Sequence, residues 1–174
     1  MYKSLILTGN KEQIFSQIEK YINSLRLTII DKDVSRPWGG FFMMDEKDAE
    51  AFGKIFFKGI SIPSLRIGGK LSPKILITQP NKRLSWQYHH RRAEIWKLVS
   101  GVAGIATSLT DEQGPVRDLI IGEVIRLKQG ERHRLIGTSA WGMIAEIWQH
   151  TDPSDPSDEN DIIRVQDDFG RKDG

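Results

Sequence analysis

The sequence predicts an all-β domain, an antiparallel barrel or sandwich, with one helix before it. Beyond the first third of the chain, short β-prone runs follow one another, separated by glycine, proline and charged turns. Strands and helices do not alternate regularly along the sequence, so a parallel sheet is not predicted. Only the N-terminal stretch shows an apolar repeat at helical spacing. The predicted strands are residues 53–60, 73–78, 94–100, 102–109, 123–127, 133–136 and 141–149.

The N-terminal helix is predicted over residues 9–26. Thr8 or Asn10 can cap it, because both side chains carry an oxygen that accepts a free backbone N–H. The apolar residues recur at helical spacing among lysine, glutamate and glutamine, and they are Ile14, Ile18, Ile22 and Leu25. This amphipathic pattern favours a helix on the outside of the β domain. A short strand could follow at residues 27–30.

Residues 35–42 combine a proline, paired glycines and three aromatic side chains. Pro37, Gly39 and Gly40 predict a turn, which the aromatic side chains would anchor to a core. Residues 45–51 are a polar interruption with some helical character.

Composition divides the chain into three predicted parts. Residues 1–34 form an N-terminal helical extension, residues 35–150 a barrel, and residues 151–174 a polar linker and C-terminal tail. The stretch 151–160 is rich in proline, serine and aspartate, as is typical of a linker. Residues 161–171 regain apolar side chains, which predicts a tail that packs back on the barrel.

The composition is that of a soluble globular domain and excludes several function classes. The 174 residues carry a net charge of +2, which gives no case for general nucleic-acid binding. Without cysteine there is no disulfide, thiolate metal site or cysteine nucleophile. No apolar run is long enough for a secretory signal or a membrane span. We therefore expect a cytoplasmic protein that binds neither nucleic acid nor membrane.

Two segments concentrate metal-binding side chains. Gln87 and His89 are two residues apart, so on a strand they share a face. Glu94 lies an odd number of residues beyond His89, and a hairpin turn through residues 90–93 would return it to that face. His133 would join them from a distant strand. The resulting carbonyl oxygen, carboxylate and two imidazoles suit zinc, iron, manganese, cobalt or nickel.

Both segments resemble the motifs of cupins. The first follows His-x-His-x3-4-Glu-x6-Gly, with Gln87 replacing the first histidine and Gly101 at the end. The second follows Gly-x5-Pro-x-Gly-x2-His, with Lys128 replacing the proline. More narrowly, the chain resembles the C-terminal isomerase domain of type II mannose-6-phosphate isomerases, which are usually fused to a mannose-1-phosphate guanylyltransferase. The matching stretches are residues 36–39, 84–96, 99–103, 130–135 and 161–171.

This resemblance implies a double-stranded β-helix (jelly-roll) barrel and one divalent metal, most commonly zinc. It implies interconversion of mannose 6-phosphate and fructose 6-phosphate. In that family the arginine before the metal-binding glutamate is linked to activity, which implies a catalytic role for Arg92. No glycine-rich nucleotide loop occurs here, so we expect the chain to lack the guanylyltransferase domain.

An aldose–ketose isomerase moves a proton between adjacent carbons through an enediol. It needs a general base with a pKa near neutrality and stabilisation of the charge that develops on oxygen. With Glu94 on the metal, His90, Glu131 or a metal-bound water could be that base. A bound phosphate needs a cluster of cations. The nearby candidates are Arg134, Lys128, Arg83 and Arg91.

Two other functions stay open. Arg91 and Ile95 stand where the family tends to have histidines, so a non-catalytic cupin that binds a sugar or sugar phosphate is the main alternative. Two histidines and one carboxylate are also the ligands of non-haem iron oxygenases, but Gln87 and the isomerase-like tail argue against that reading. A homodimer is plausible, because small barrels commonly pair through sheet edges or apolar faces.

Overall fold

The computed structural model of this protein describes residues 5–66 and 69–173. Residues 1–4 and 174, the ends of the predicted extension and tail, lie outside the described residues with 67 and 68. The helices are α1 (Lys11–Ser24), α2 (Ala49–Phe56) and α3 (Ile62–Leu65), with a 3-10 turn at Glu46–Asp48. The strands are β1 (Ile29–Asp33), β2 (Gly39–Met44), β3 (Lys74–Thr78), β4 (Trp86–Tyr88), β5 (Arg92–Gly101), β6 (Gly104–Ser108), β7 (Arg117–Asp118), β8 (Val124–Leu127), β9 (Arg132–Ile136), β10 (Gly142–His150) and β11 (Ile163–Gln166).

Strands β3 to β10 pair in a nested order. β3 pairs with β10, β4 with β9, β5 with β8 and β6 with β7, all antiparallel. One sheet has the order β1-β2-β3-β10-β5-β8 and the other the order β11-β4-β9-β6-β7. Nested pairs divided between two sheets are the winding of a jelly roll. The predicted all-β fold of the cupin type is therefore confirmed.

The central strands of the six-stranded sheet, β3 and β10, are buried on both faces. Side chains alternate across a strand, so Ile75 and Met143 face one way and Leu76 and Ile144 the other. The first pair belongs to an apolar cluster with the helices, and the second belongs to the core between the sheets. The helical side of that first cluster includes Ile14, Ile18 and Ile22 of α1. The predicted position of the helix outside the sheets is thus what the structure shows.

Helix α1 begins directly after its N-cap residue, Asn10. The Asn10 side chain accepts the backbone N–H of Gln13 at 3.0 Å, and the Gln13 side chain accepts the N–H of Asn10 at 2.9 Å. This reciprocal pair is a capping box, which satisfies two otherwise free donors. Of the two predicted caps, Asn10 is therefore the one used.

One local prediction was wrong, and another was right only in part. Residues 53–60, predicted as a strand, begin inside α2, because Phe52 and Phe56 lie one helical turn apart and bury one face. The turn predicted within residues 35–42 is formed by Pro37 and Trp38, whereas Gly39 and Gly40 already belong to β2. Gly39 allows this strand to lie close to β3, since a Cβ there would come within 1.8 Å of the Ile77 carbonyl oxygen.

The predicted hairpin between Gln87 and Glu94 was also wrong. A turn does follow His89, but β4 and β5 belong to different sheets, so the turn crosses the edge of the sandwich. Each strand pairs elsewhere, and Gln87 lies directly opposite His133 on β9. The prediction that a turn returns Glu94 to the side of Gln87 and His89 still holds, because Glu94 on β5 points into the interior between the two sheets.

The C-terminal tail packs on the sandwich, as predicted. Strand β11 extends the five-stranded sheet by pairing with β4, for example Ile163 opposite Tyr88. Asp161 accepts the backbone N–H groups of His90 and Arg91, each at 2.9 Å, and so fixes the turn before β5. Within the described residues, no helix is long and apolar enough to cross a membrane.

His150 at the end of β10 should make the fold sensitive to acid. Its side chain is 1% exposed, and burial together with the charges of Arg92, Lys70 and Arg91 lowers its pKa to about 4. The unfolded chain takes up this proton near pH 6.5, so stability is lost as the pH falls from 6.5 towards 4. Between pH 7 and 5 this costs about 2 kcal/mol.

We expect His150→Gln to lose about 2 kcal/mol less than the wild type over that pH range, because glutamine does not titrate. Urea unfolding at each pH measures the difference, and Gln can still bond the Ser72 hydroxyl, which His150 contacts at 2.9 Å. Parallel pH curves for the two proteins would contradict a buried neutral histidine.

Candidate metal centre

Three buried side chains meet between the two sheets. His89 follows β4, Glu94 lies on β5 and His133 on β9, and each is at most 2% exposed. His89 Nε2 is 3.1 Å from Glu94 Oε1, and His133 Nε2 is 3.3 Å from Glu94 Oε2. One ligand atom from each lies within 4.8 Å of the others, so this group could hold a metal ion.

The outer nitrogens orient both imidazoles. His89 Nδ1 is 2.6 Å from the carbonyl oxygen of Asp161, and His133 Nδ1 is 2.9 Å from that of Glu131. A carbonyl only accepts, so in each ring Nδ1 carries the hydrogen and Nε2 presents its lone pair. This carbonyl support is typical of metal-binding histidines.

Two of the three groups have unsatisfied atoms. Glu94 Oε2 and His133 Nε2 are buried, and neither has a hydrogen-bond partner among the described residues. They lie 3.3 Å apart, but with the hydrogen on Nδ1 both atoms are acceptors. Leaving a buried acceptor without a hydrogen bond costs about 1–3 kcal/mol. A cation between them would satisfy both atoms, so the residues fit a divalent metal.

The protonation states also suit a cation. Burial would raise the pKa of Glu94, but the contacts with His89, the charge of Arg92 and the contacts with His133 hold it well below its usual value. Burial lowers the pKa of His89. The carboxylate is therefore ionised and the His89 imidazole neutral, which are the forms that bind metal.

Gln87, the fourth predicted ligand, and Glu94 line the same cavity. Its side-chain oxygen accepts the Ser85 hydroxyl. The structure places Gln87 beside the other three, opposite His133, and its role as a ligand stays a prediction.

Arg92 connects the tail to the candidate metal group, which consists of His89, Glu94 and His133. Its Nε donates to Glu94 Oε1 at 2.8 Å, and its Nη2 lies 3.2 Å from His89 Nε2. On the other side Nη1 donates to the Ser157 hydroxyl at 2.8 Å. The guanidinium also stacks 3.7 Å from the Trp148 ring centroid. Arg92 lines the cavity, and these contacts hold the Glu94 carboxylate in one position.

The cavity has a volume of about 290 Å³ and an excess of positive charge. Three carboxylates line it, Glu94, Glu146 and Glu159. Twice as many cations do so, namely Arg36, Lys74, Arg92, Arg164, Arg171 and Lys172. Most of these are supplied by the turn before β2 and by the tail. Neither segment was expected from the sequence to contact the substrate.

The predicted phosphate-binding residues lie elsewhere, and none of them is among the residues that line this cavity. Arg83 forms an ion pair with Asp168 at 2.7 Å. Lys128 is exposed in the turn between β8 and β9. Arg134 is buried and donates to Gln113 and Gln166 side chains. Arg91, the fourth candidate, pairs with exposed Asp155 at 2.6 Å.

Glu146 is a cavity residue that sequence reasoning missed. It lies on β10, is 4% exposed, and accepts hydrogen bonds from the indole nitrogens of Trp96 and Trp148. Burial, reinforced by the charge of Glu94, raises the pKa of Glu146 to about 7. The available signal was a single carboxylate in a strand that is otherwise almost entirely apolar.

The model of the family described as mannose-6-phosphate isomerase C-terminal matches residues 45–167. This span includes the whole metal group and most of the sandwich. The chain belongs to the mannose-6-phosphate isomerase C-terminal family.

Curated relatives of this family member are longer proteins. A mannose-1-phosphate guanylyltransferase of Salmonella montevideo is 25% identical over 174 residues, which cover 97% of this chain and 31% of that protein. The alginate biosynthesis protein AlgA of Pseudomonas aeruginosa is 33% identical over 73 residues, 42% of this chain and 11% of that protein. The chain thus spans less than a third of either relative.

Solved structures share the fold at low identity. The 7S globulin of Momordica charantia superposes with a TM-score of 0.53 and 13% identity, covering 82% of this chain and 37% of that one. The capsular polysaccharide assembling protein CapF of Staphylococcus aureus gives 0.50 and 16%, covering 91% of this chain and 42% of that one. At such identities the likeness concerns the fold alone.

Mutation of the metal group should change the metal content of the protein. We expect the purified family member to carry about one divalent ion per chain, and His133→Ala to lose it, because a catalytic site has few protein ligands and cannot spare one. His90→Ala is the matched control, since His90 is exposed and packs edge-on against Tyr88.

Elemental analysis of the three folded proteins measures the metal, and zinc should raise the melting temperature of all but His133→Ala. Equal metal content in the three proteins would exclude this site.

Proposed function

We propose that this protein catalyses metal-dependent isomerisation of an aldose phosphate to a ketose phosphate, with mannose 6-phosphate and fructose 6-phosphate as the pair and zinc as the metal. The observation that carries the proposal is the buried group of His89, Glu94 and His133, of which Glu94 lines a cation-rich cavity. Membership of the family supports the same reaction.

The chemistry follows from where these residues lie. A bound metal supplies a Lewis acid that polarises the carbonyl and hydroxyl oxygens of the sugar. Arg92 keeps Glu94 oriented, and its own charge stabilises negative charge that develops on a substrate oxygen. The tail accepts hydrogen bonds from Arg92 at the Ser157 hydroxyl and the Asp158 carbonyl, and several of its residues line the cavity.

The phosphate would bind at the end of the cavity lined by Arg36, Arg164 and Arg171. Arg36 and Arg171 already pair with Asp33 and Asp167, each within 2.8 Å. Arg164 is less engaged, because its Nε is buried without a hydrogen-bond partner among the described residues and Nη1 donates only to a backbone carbonyl. Arg164 is thus the guanidinium with most capacity for a phosphate.

A coupled assay tests the reaction. We expect turnover of mannose 6-phosphate, loss of turnover after chelation, and recovery with zinc or cobalt, because the metal polarises the reacting oxygens. Glucose and heptose phosphates complete the substrate set. Tight binding of a sugar phosphate without turnover would favour the non-catalytic cupin. Oxygen consumption with added Fe(II) would favour the oxygenase reading.

The phosphate end makes a separate prediction. Arg164→Gln should raise KM for the sugar phosphate about 10- to 100-fold, since a hydrogen bond to a charged group contributes about 1.5–3 kcal/mol. The matched control is Arg117→Gln, which removes an exposed arginine paired with Glu123 at 3.0 Å.

Affinity for inorganic phosphate, measured by calorimetry, should fall in the Arg164 variant alone. An equal rise of KM in Arg83→Gln but not in Arg164→Gln would restore the phosphate site expected from the sequence.

A further inference from the structure

We propose that Glu146 is the general base that carries the proton between the two reacting carbons of the sugar phosphate. This inference rests on the proposed isomerisation and names the group that the reaction requires. Its basis is the position of Glu146 in the cavity beside the metal group.

Sheet register places Glu146 next to Glu94. Strands β5 and β10 are antiparallel neighbours, with Glu94 opposite Trp148 and Trp96 opposite Glu146. All four side chains point into the sandwich, because they occupy alternate positions. The two glutamates are diagonal neighbours, whose Cα atoms lie about 7–8 Å apart in such a ladder. Both glutamates line the cavity, so a sugar bound beside Glu94 would also lie beside Glu146.

Two tryptophans fix the carboxylate without saturating it. Trp96 Nε1 donates to Oε1 at 2.9 Å, and Trp148 Nε1 donates to Oε2 at 3.0 Å. Each carboxylate oxygen has two acceptor sites, so one on each oxygen stays available. Trp148 is itself held between the cations of Arg92 and Lys74, at 3.7 and 3.8 Å from its ring centroid.

The charges around Glu146 suit a base. Glu94 and Arg92 face it from β5, Lys74 from β3, and Glu159 from the tail. Burial and the two carboxylates raise its pKa, while Lys74 and Arg92 limit the rise, so that the pKa is about 7. A general base works best with a pKa near the operating pH.

The other candidates are less suitable. Glu94 belongs to the metal group, and Glu159 forms an ion pair with Lys74 while its own side chain is 52% exposed. Of the bases suggested by the sequence, the side chains His90 and Glu131 are not among the residues that line the cavity. The Glu131 carboxylate instead accepts the backbone N–H of Lys128 at 2.8 Å.

The step conserves atoms and electrons. The Glu146 carboxylate removes the proton from C2 of the open-chain aldose. The C2–H electron pair becomes the C1=C2 double bond, and the carbonyl π pair moves to O1. After a proton passes from O2 to O1, the new O2 lone pair forms the C2=O2 carbonyl and the C1=C2 pair takes the proton back from Glu146 at C1. The net change is aldose to ketose, and the carboxylate is regenerated.

Glu146→Gln tests the role. We expect kcat to fall about 10²- to 10⁴-fold, the usual contribution of a general base, with KM within a few-fold and metal content unchanged. Exchange between the C2 hydrogen and D2O should fall with kcat, and substrate deuterated at C2 should show a larger isotope effect than with the wild type. Glu123→Gln changes a half-buried carboxylate that pairs with Arg117 and does not line the cavity, and it should match the wild type.

A second variant distinguishes loss of the base from misfolding of the protein. Glu146→Ala should recover part of its turnover with added formate, which supplies a carboxylate that can enter the cavity. Wild-type turnover with unchanged kcat in Glu146→Gln would overturn the role of Glu146 and leave the isomerase intact. A wild type that holds metal but turns over no sugar phosphate would overturn the proposed reaction, and this role with it.

Discussion

The buried negative charge of Glu94 is the constraint on which the site depends. A carboxylate between two sheets is stable only when paired and hydrogen-bonded, because isolated burial costs several kcal/mol. Arg92 provides the pair, with its Nε 2.8 Å from Oε1. Arg92 in turn needs acceptors, and these come from the tail, at the Ser157 hydroxyl and the Asp158 carbonyl. The tail is therefore part of the electrostatic support of the metal group.

The two interior carboxylates differ because their neighbours differ. Glu94 lies against an arginine and two imidazoles, and its pKa is held well below the usual value. Glu146 receives hydrogen bonds from neutral indoles, and burial together with the charge of Glu94 raises its pKa to about 7. Environments that separate the pKa values of neighbouring acids also separate their roles, one permanently charged and one able to gain and lose a proton.

Local pattern and motif spacing predicted most of the fold but only part of the site. The donors at 89, 94 and 133 were visible because a short motif fixes their spacing, and nested strand pairing then brings the motifs together. Glu146 and Arg164 were not visible, since their place in the cavity depends on long-range register between β5 and β10 and on the path of the tail. The hairpin prediction was wrong for the same reason, because side-chain parity is local and the choice of sheet is not.

Family membership therefore constrains the two ends of the cavity unequally. The matched span, residues 45–167, contains the metal group, Glu146 and Arg164. Arg36 lies before that span, and Arg171 and Lys172 lie after it, yet all three line the cavity. The residues that could hold a metal and Arg164, the proposed phosphate ligand, thus lie inside the family match. The other cations of the phosphate site lie outside it, so family membership does not constrain them.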